Sequence, residues 1–146
     1  MSLKRTPADD AFSRCIRERA DWTCELCGTV YPEAQATGRS RGLHCSHFIG
    51  RGNWSVRFNS SNAFCHCYAC HVRFGSDKYI QEKHYLDIFG GGKLVFLEFG
   101  KNSTFLGRDA KKSQREISAH YRQEYERMRK LRAKGQRGRI EFMSWS

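Results

Sequence analysis

Residues 44–71 read HCSHFIGRGNWSVRFNSSNAFCHCYACH, and two patterns interleave within them. The stretch closes on Cys67-x-x-Cys70, which answers an upstream pair, Cys24-x-x-Cys27. Across the same stretch His47, Asn62 and His71 fall at intervals of fifteen and nine residues. The first pattern predicts a structural metal site, and the second predicts phosphodiester chemistry.

Two short C-x-x-C turns each aim two sulfurs at one point, and together they supply the four soft ligands of a tetrahedral zinc. Four thiolates close such a site and leave no position for water, so the expected zinc at Cys24, Cys27, Cys67 and Cys70 is structural. Cys15, Cys45 and Cys65 remain from a total of seven cysteines. Cys15 sits on a predicted helix as a small core residue, while Cys65 stands close enough to Cys67 to compete with it as a ligand. No signal peptide or long apolar run is visible, which points to a reducing cytoplasm rather than to disulfides.

At 146 residues the chain can bury one modest core, so a single domain over 1–140 is expected, with residues 135–146 as a flexible tail. The formal charge of +11 points to a polyanion, nucleic acid first. A membrane partner fits less well, because no helix pairs an aromatic-rich face with low acidity.

The predicted fold class is α+β, a small zinc-stabilised core over about 20–75 flanked by an N-terminal helix and a basic helical part over about 76–134. Thr6-Pro7 opens a helix to about Arg19, with Ala8, Phe12, Cys15 and Ile16 inward and Arg14, Arg17 and Arg19 outward. Residues 33–42 read as a loop, Leu43–Ile49 as a strand, Trp54–Phe58 as a second strand, and Asn62 to about Arg73 as a helix. Ser76-Asp77 caps a helix to about Phe89 that Gly90–Gly92 stops, and Lys93–Phe99 suits a strand or a helix equally. Asp109 to about Lys134 reads as one long helix whose apolar face is Ile117, Tyr121, Tyr125, Met128 and Leu131. That face packs on the domain or forms a homodimer surface. Twelve basic residues against four acidic ones over 108–139 mark the helix as a phosphate-contacting stripe, with Lys111, Lys112, Arg115, Arg122 and Arg129 as its DNA-binding candidates.

For hydrolysis at phosphorus, a base must activate water while a divalent ion holds the phosphate and the leaving oxygen. His47 is the candidate base, since imidazole titrates near neutrality. Asn62 orients His47 or reaches the metal, and His71 is the metal ligand. Arg51, Arg57 and Arg73 flank the element as phosphate contacts, and Trp54, Phe58 and Phe64 supply a small core. His84 and His120 read as surface or core-edge residues.

These spacings resemble those of the HNH (ββα-metal) endonucleases. The segments FSRCIRERADWTCELCG (12–28), CSHFIGR (45–51) and RFNSSNAFCHCYAC (57–70) are similar to phage recombination proteins of the NinG (Rap) type. Weaker similarity runs through YIQEKHYLDIFGG (79–91) and the basic terminal helix. The resemblance implies a ββα-metal core and an endonuclease acting on branched recombination intermediates, such as Holliday junctions or D-loops, or on single-stranded DNA. Its location would be the host cytoplasm if phage-encoded. Such enzymes place an Asp or His metal ligand directly before the base, where this chain has Ser46. His44, Cys45, His66 or Asp77 stand as substitutes. Mg²⁺ or Mn²⁺ is the expected catalytic ion, with Zn²⁺ or Ni²⁺ as alternatives suited to histidine. The rival class is a non-catalytic zinc module that binds DNA for a recombinase, and a weaker rival binds structured RNA.

Overall fold

Thr6 begins the first helix as a capping box: its hydroxyl accepts from the Asp9 backbone N–H, and the Asp9 carboxylate accepts in return from the Thr6 backbone. The computed structural model describes residues 3–145 and starts its regular structure here, with α1 at Pro7–Arg19. There follow α2 (Pro32–Thr37), β1 (Leu43–His47), β2 (Ala63–Cys67), α3 (Tyr68–Ser76) and α4 (Lys78–Ile88). The chain continues through α5 (Gly91–Lys101), α6 (Thr104–Lys112) and α7 (Gln114–Ala133). The class is α+β, with β1 and β2 paired antiparallel from Leu43↔Cys67 to His47↔Ala63.

Strand alternation divides the buried side chains between two cores. Leu43, Ala63 and Cys65 face a cluster with Phe12, Ile16, Trp22, Ile117, Tyr121 and Met128, where α7 lies along α1. Phe64 faces the other way, onto Phe74, Tyr85, Leu97 and Val56. The hairpin is thus sandwiched between α1 with α7 on one side and α3 to α5 on the other. Cys15 is fully buried and donates to the Tyr121 carbonyl across the helix pair at 3.1 Å.

Several expectations change. The second strand is Ala63–Cys67, and Trp54–Phe58 is a run of turns. Its alternating pattern arises because Trp54 and Phe58 pack on the first core while Val56 turns to the second. Trp54 lies under the Arg57 guanidinium, Val56 enters the second core and Phe58 enters the first. The helix expected from Asn62 therefore begins only at Tyr68, with Cys67 as its N-cap.

Residues 33–42, read as a loop, begin with the short α2. The glycines after Phe89 do end α4, but Gly91 and Gly92 open α5, so Lys93–Phe99 is helical. The long basic helix bends at Ser113 into α6 and α7, although backbone hydrogen bonds at 2.9 Å continue through the bend.

Arg17 and Arg19, expected outward, are buried because α1 is enclosed on both sides. Arg19 donates to the Ser60 and Ala63 carbonyls, both at 2.7 Å, with Phe89 and Phe142 flanking its guanidinium. The C-terminal segment, expected to be a free tail, crosses back over the first core. Ile140 and Phe142 are buried, and the Ile140 N–H donates to the Arg19 carbonyl at 3.1 Å. The apolar face of α7 is covered by α1 and this segment, which removes it as a dimer surface. No helix among the described residues is long and apolar enough to cross a membrane.

Candidate functional site

Cys24 and Cys27 sit on a tight turn in which Gly28, at φ +80°, returns its N–H to the Cys24 carbonyl. That positive φ favours glycine. Cys67 caps α3 and Cys70 lies in its first turn, so a helix N-terminus faces the sulfurs. Glu25 ties the two halves together: its N–H donates to the Cys65 carbonyl, and its carboxylate accepts from the Cys65 N–H, each at 2.8 Å. All four sulfurs lie within 4.8 Å of one another, and they form the one cluster of three or more such ligands among the described residues. Cys27 Sγ and Cys67 Sγ are 3.8 Å apart, far beyond a disulfide and close to the roughly 3.8 Å edge of a ZnS₄ tetrahedron with 2.3 Å bonds. Four cysteines so placed can hold a structural metal such as zinc. Cys65 lies in the core instead, which leaves Cys67 at the ligand position. Hydrogen bonds with Thr29 hold the Cys27 thiol down at about 6, whereas burial raises those of Cys24 and Cys70.

The second site begins where β1 meets α3. Ser46 is buried, and its Oγ lies 2.7 Å from His71 Nδ1. The His44 ring, two residues back on the same strand face, stacks on His71 at 5.0 Å with 9° between the planes. Burial lowers the His44 pKa, and proximity to His71 and Arg17 adds to the effect, so the neutral ring is favoured.

Both histidines line an open cleft of about 550 Å³ whose other walls include Arg5, Arg14, Arg17 and Arg39. Its acidic member, Asp10, is paired with Arg5, and Arg17 is bonded to Ser13. Arg14 and Arg39 are exposed, and their guanidinium groups have no partner among the described residues. Two free guanidinium groups beside two imidazoles suit a phosphate diester.

His47 lies elsewhere. Adjacent strand residues point to opposite faces, so the Ser46 contact with His71 turns His47 toward α1. There it stacks on Phe12 at 5.9 Å, and its Nε2 lies 3.0 Å from the Arg57 carbonyl. A carbonyl only accepts, so Nε2 carries the proton and Nδ1 the lone pair. Burial pushes its pKa down to about 4. Asn62 is fully buried and braces the turn: Oδ1 accepts from the Ile49 N–H, while Nδ2 donates to the Ile49 and Val56 carbonyls. The fifteen- and nine-residue intervals therefore gather a turn brace and a Ser46–His71 contact, and they leave His47 on the other face.

Among the basic candidates, Arg57 is buried against Asp9, with its two nitrogens 3.0 and 2.6 Å from the carboxylate oxygens, and does not face solvent. Arg51 shares that carboxylate at 3.3 Å and bonds the Leu3 carbonyl. Arg129 is tied to Glu18 and the Gln35 carbonyl. Arg73, Lys111, Lys112, Arg115 and Arg122 are exposed. Of the substitutes for Ser46, His44 lines the cleft and stacks on His71. Cys45 also borders it, but its thiol is buried and its pKa raised to about 11.

His66 and His84 form a further pair unforeseen from sequence, buried with Nε2 atoms 3.0 Å apart between Phe64 and Phe74. The arginines of the cleft, at 14, 17 and 39, are scattered in the sequence, and only the tertiary fold unites them. The chain finds no significant match among protein-family models, curated proteins or solved structures.

Proposed function

We propose that this protein is a zinc-stabilised, divalent-metal-dependent endonuclease that hydrolyses DNA phosphodiesters in the cleft of His44 and His71. The observation that carries the reading is the His71 imidazole, pinned through Nδ1 by Ser46 and stacked on His44, at the rim of an arginine-lined cleft. When Nδ1–H donates to Ser46 Oγ, the Nε2 lone pair is left to a metal, as outer hydrogen bonds orient many ligating histidines. His44, whose neutral form burial favours, is suited to accept a proton from water. Arg14 and Arg39 neutralise the phosphates on either side. His47 takes a packing role, in place of the base role that its spacing suggests. A bound divalent ion would supply Lewis-acid stabilisation of the leaving oxygen. Branched recombination intermediates and single strands are the substrates that the resemblance to NinG-type HNH proteins implies.

The test is cleavage of labelled four-way-junction, single-stranded and duplex DNA in Mg²⁺ or Mn²⁺ by wild type, His44→Ala and His71→Ala. Loss of cutting in both variants, with zinc content and DNA affinity unchanged, is the expected result. A second reading has its own support: the Ser46 hydroxyl is engaged by His71, and no third ligand atom gathers with His44 and His71 among the described residues. A non-catalytic zinc module would bind these DNAs and cut none of them in either metal.

A further inference from the structure

Helices α5 and α6 carry side chains that the cleft does not use. Phe96, Phe99 and Phe105 are 82%, 79% and 73% exposed, although Phe is ordinarily a core residue. Phe96 and Phe99 stand three residues apart, so their rings share one helical face. Behind them opens a groove of about 530 Å³, floored by Trp54, Val56 and Phe58 and edged by Asn59. The Asn59 Oδ1 accepts from the Ser61 N–H, and its Nδ2 donor is free among the described residues.

We infer that this surface is a stacking platform for the unpaired bases of single-stranded nucleic acid. The inference rests on the nucleic-acid reading above, but not on its chemistry. Three features select this occupant.

The first is charge. Residues 91–112 hold five basic side chains against two acidic ones, and one of the acids, Glu98, is already paired with Lys101. A second copy meeting this patch across a twofold axis would set cation against cation, because such an interface pairs a surface with itself. A polyanion removes that repulsion.

The second is geometry. The exposed rings are discrete, and Lys101, Asn102, Ser103 and Thr104 lie between Phe99 and Phe105, as in surfaces that stack successive bases while tracking the backbone. A duplex buries its base faces in its own stack and offers such rings nothing. The third is the groove itself, which combines aromatic walls with a free amide donor and so suits the face and the edge of an extruded base. An acyl chain has no use for that donor.

The test is binding of an oligothymidylate of about 20 nucleotides, and of a duplex of equal phosphate number, at physiological salt without divalent metal. Wild type is compared with Phe96→Ala/Phe99→Ala/Phe105→Ala and with the same three positions changed to Trp. Because these rings are exposed, the variants keep the fold, checked by zinc content and thermal melting. The expected result is at least a tenfold loss of single-strand affinity in the Ala variant, recovery in the Trp variant and little change on duplex. Unchanged single-strand affinity would overturn the proposal. So would a wild-type dimer that the Ala variant converts to monomer, or wild-type sedimentation with anionic phosphatidylserine vesicles that the Ala variant loses. Since no cleavage is read, failure of the nuclease reading leaves this outcome intact.

Discussion

Ser46 and His71, 25 residues apart in the chain, meet through Oγ and Nδ1 at 2.7 Å, and this contact joins the hairpin to α3 above the cysteine cluster. Cys70 is the residue before His71, so an ion held by the four thiolates fixes the start of α3 and, through it, the His71 ring. A metal bound in the cluster would therefore govern the cleft mechanically.

Removing a metal from the four cysteines should release that constraint. Chelation, or Cys24→Ser/Cys67→Ser, is expected to lose β2–α3 order, because zinc binding contributes about 10 kcal/mol to small domains of this kind. Metal analysis should give one zinc per chain in the wild type. Amide exchange should show α3 opening on chelation while the α1–α7 pair stays protected. Unchanged protection over residues 63–76 would count against this coupling.

His47→Ala separates packing from chemistry. The substitution removes a ring stacked on Phe12 and orphans the Arg57 carbonyl, at a cost of about 1–3 kcal/mol. Thermal melting should show this destabilisation. DNA affinity should stay at the wild-type level where the variant is folded.

Arg57 and Arg14 should part in the same way. Burial by itself raises the Asp9 carboxyl pKa, but hydrogen bonds from Arg57 and Thr6 bring it below its usual value. Stability from this pair is present above the unfolded Asp value of 3.8 and is lost as pH falls through the lower folded one. Arg57→Ala should cost about 3–5 kcal/mol by stranding the buried carboxylate, read by denaturant unfolding. Arg14→Ala and Arg39→Ala should leave stability unchanged, weaken DNA binding and reduce its salt dependence by about one counterion each.

The buried His66–His84 pair predicts acid sensitivity. Burial, then the nearby charges of His84 and His71, push the His66 pKa down to about 3, and burial lowers that of His84. The folded state thus favours the neutral rings. Their contribution is complete above the unfolded value of 6.5 and declines as pH falls from there toward the folded values. For His66 alone the loss at about pH 4.5 is about 3 kcal/mol. Urea midpoints measured between pH 7 and 4.5 should fall accordingly, and less so in His66→Phe, which keeps the aromatic box without the proton. A flat wild-type profile would contradict this account.

Local signals read well from the chain alone. The Thr6 cap, the Asp77 cap, the C-x-x-C turns and the first strand depend on neighbours within a few residues, and those are written in the sequence. Trp54–Phe58 misled because alternation records burial, and a turn can bury alternate residues against unrelated surfaces. The C-terminal segment misled because Ile140 and Phe142 lie past the glycines at 135 and 138, with no periodicity to mark them. The cleft was invisible because Arg14, Arg39, His44 and His71 belong to four segments. The spacing that points to His47 does not say which face of a strand a residue takes.

The most direct measurement is junction cleavage in Mg²⁺ or Mn²⁺ by wild type, His44→Ala, His71→Ala and His47→Ala, each at a temperature where it is folded. Wild type and His47→Ala are expected to cut, while His44→Ala and His71→Ala bind without cutting. Cutting lost in His47→Ala and retained in His44→Ala would contradict this and return the base to His47. Absence of cutting by wild type in both metals would contradict the nuclease itself.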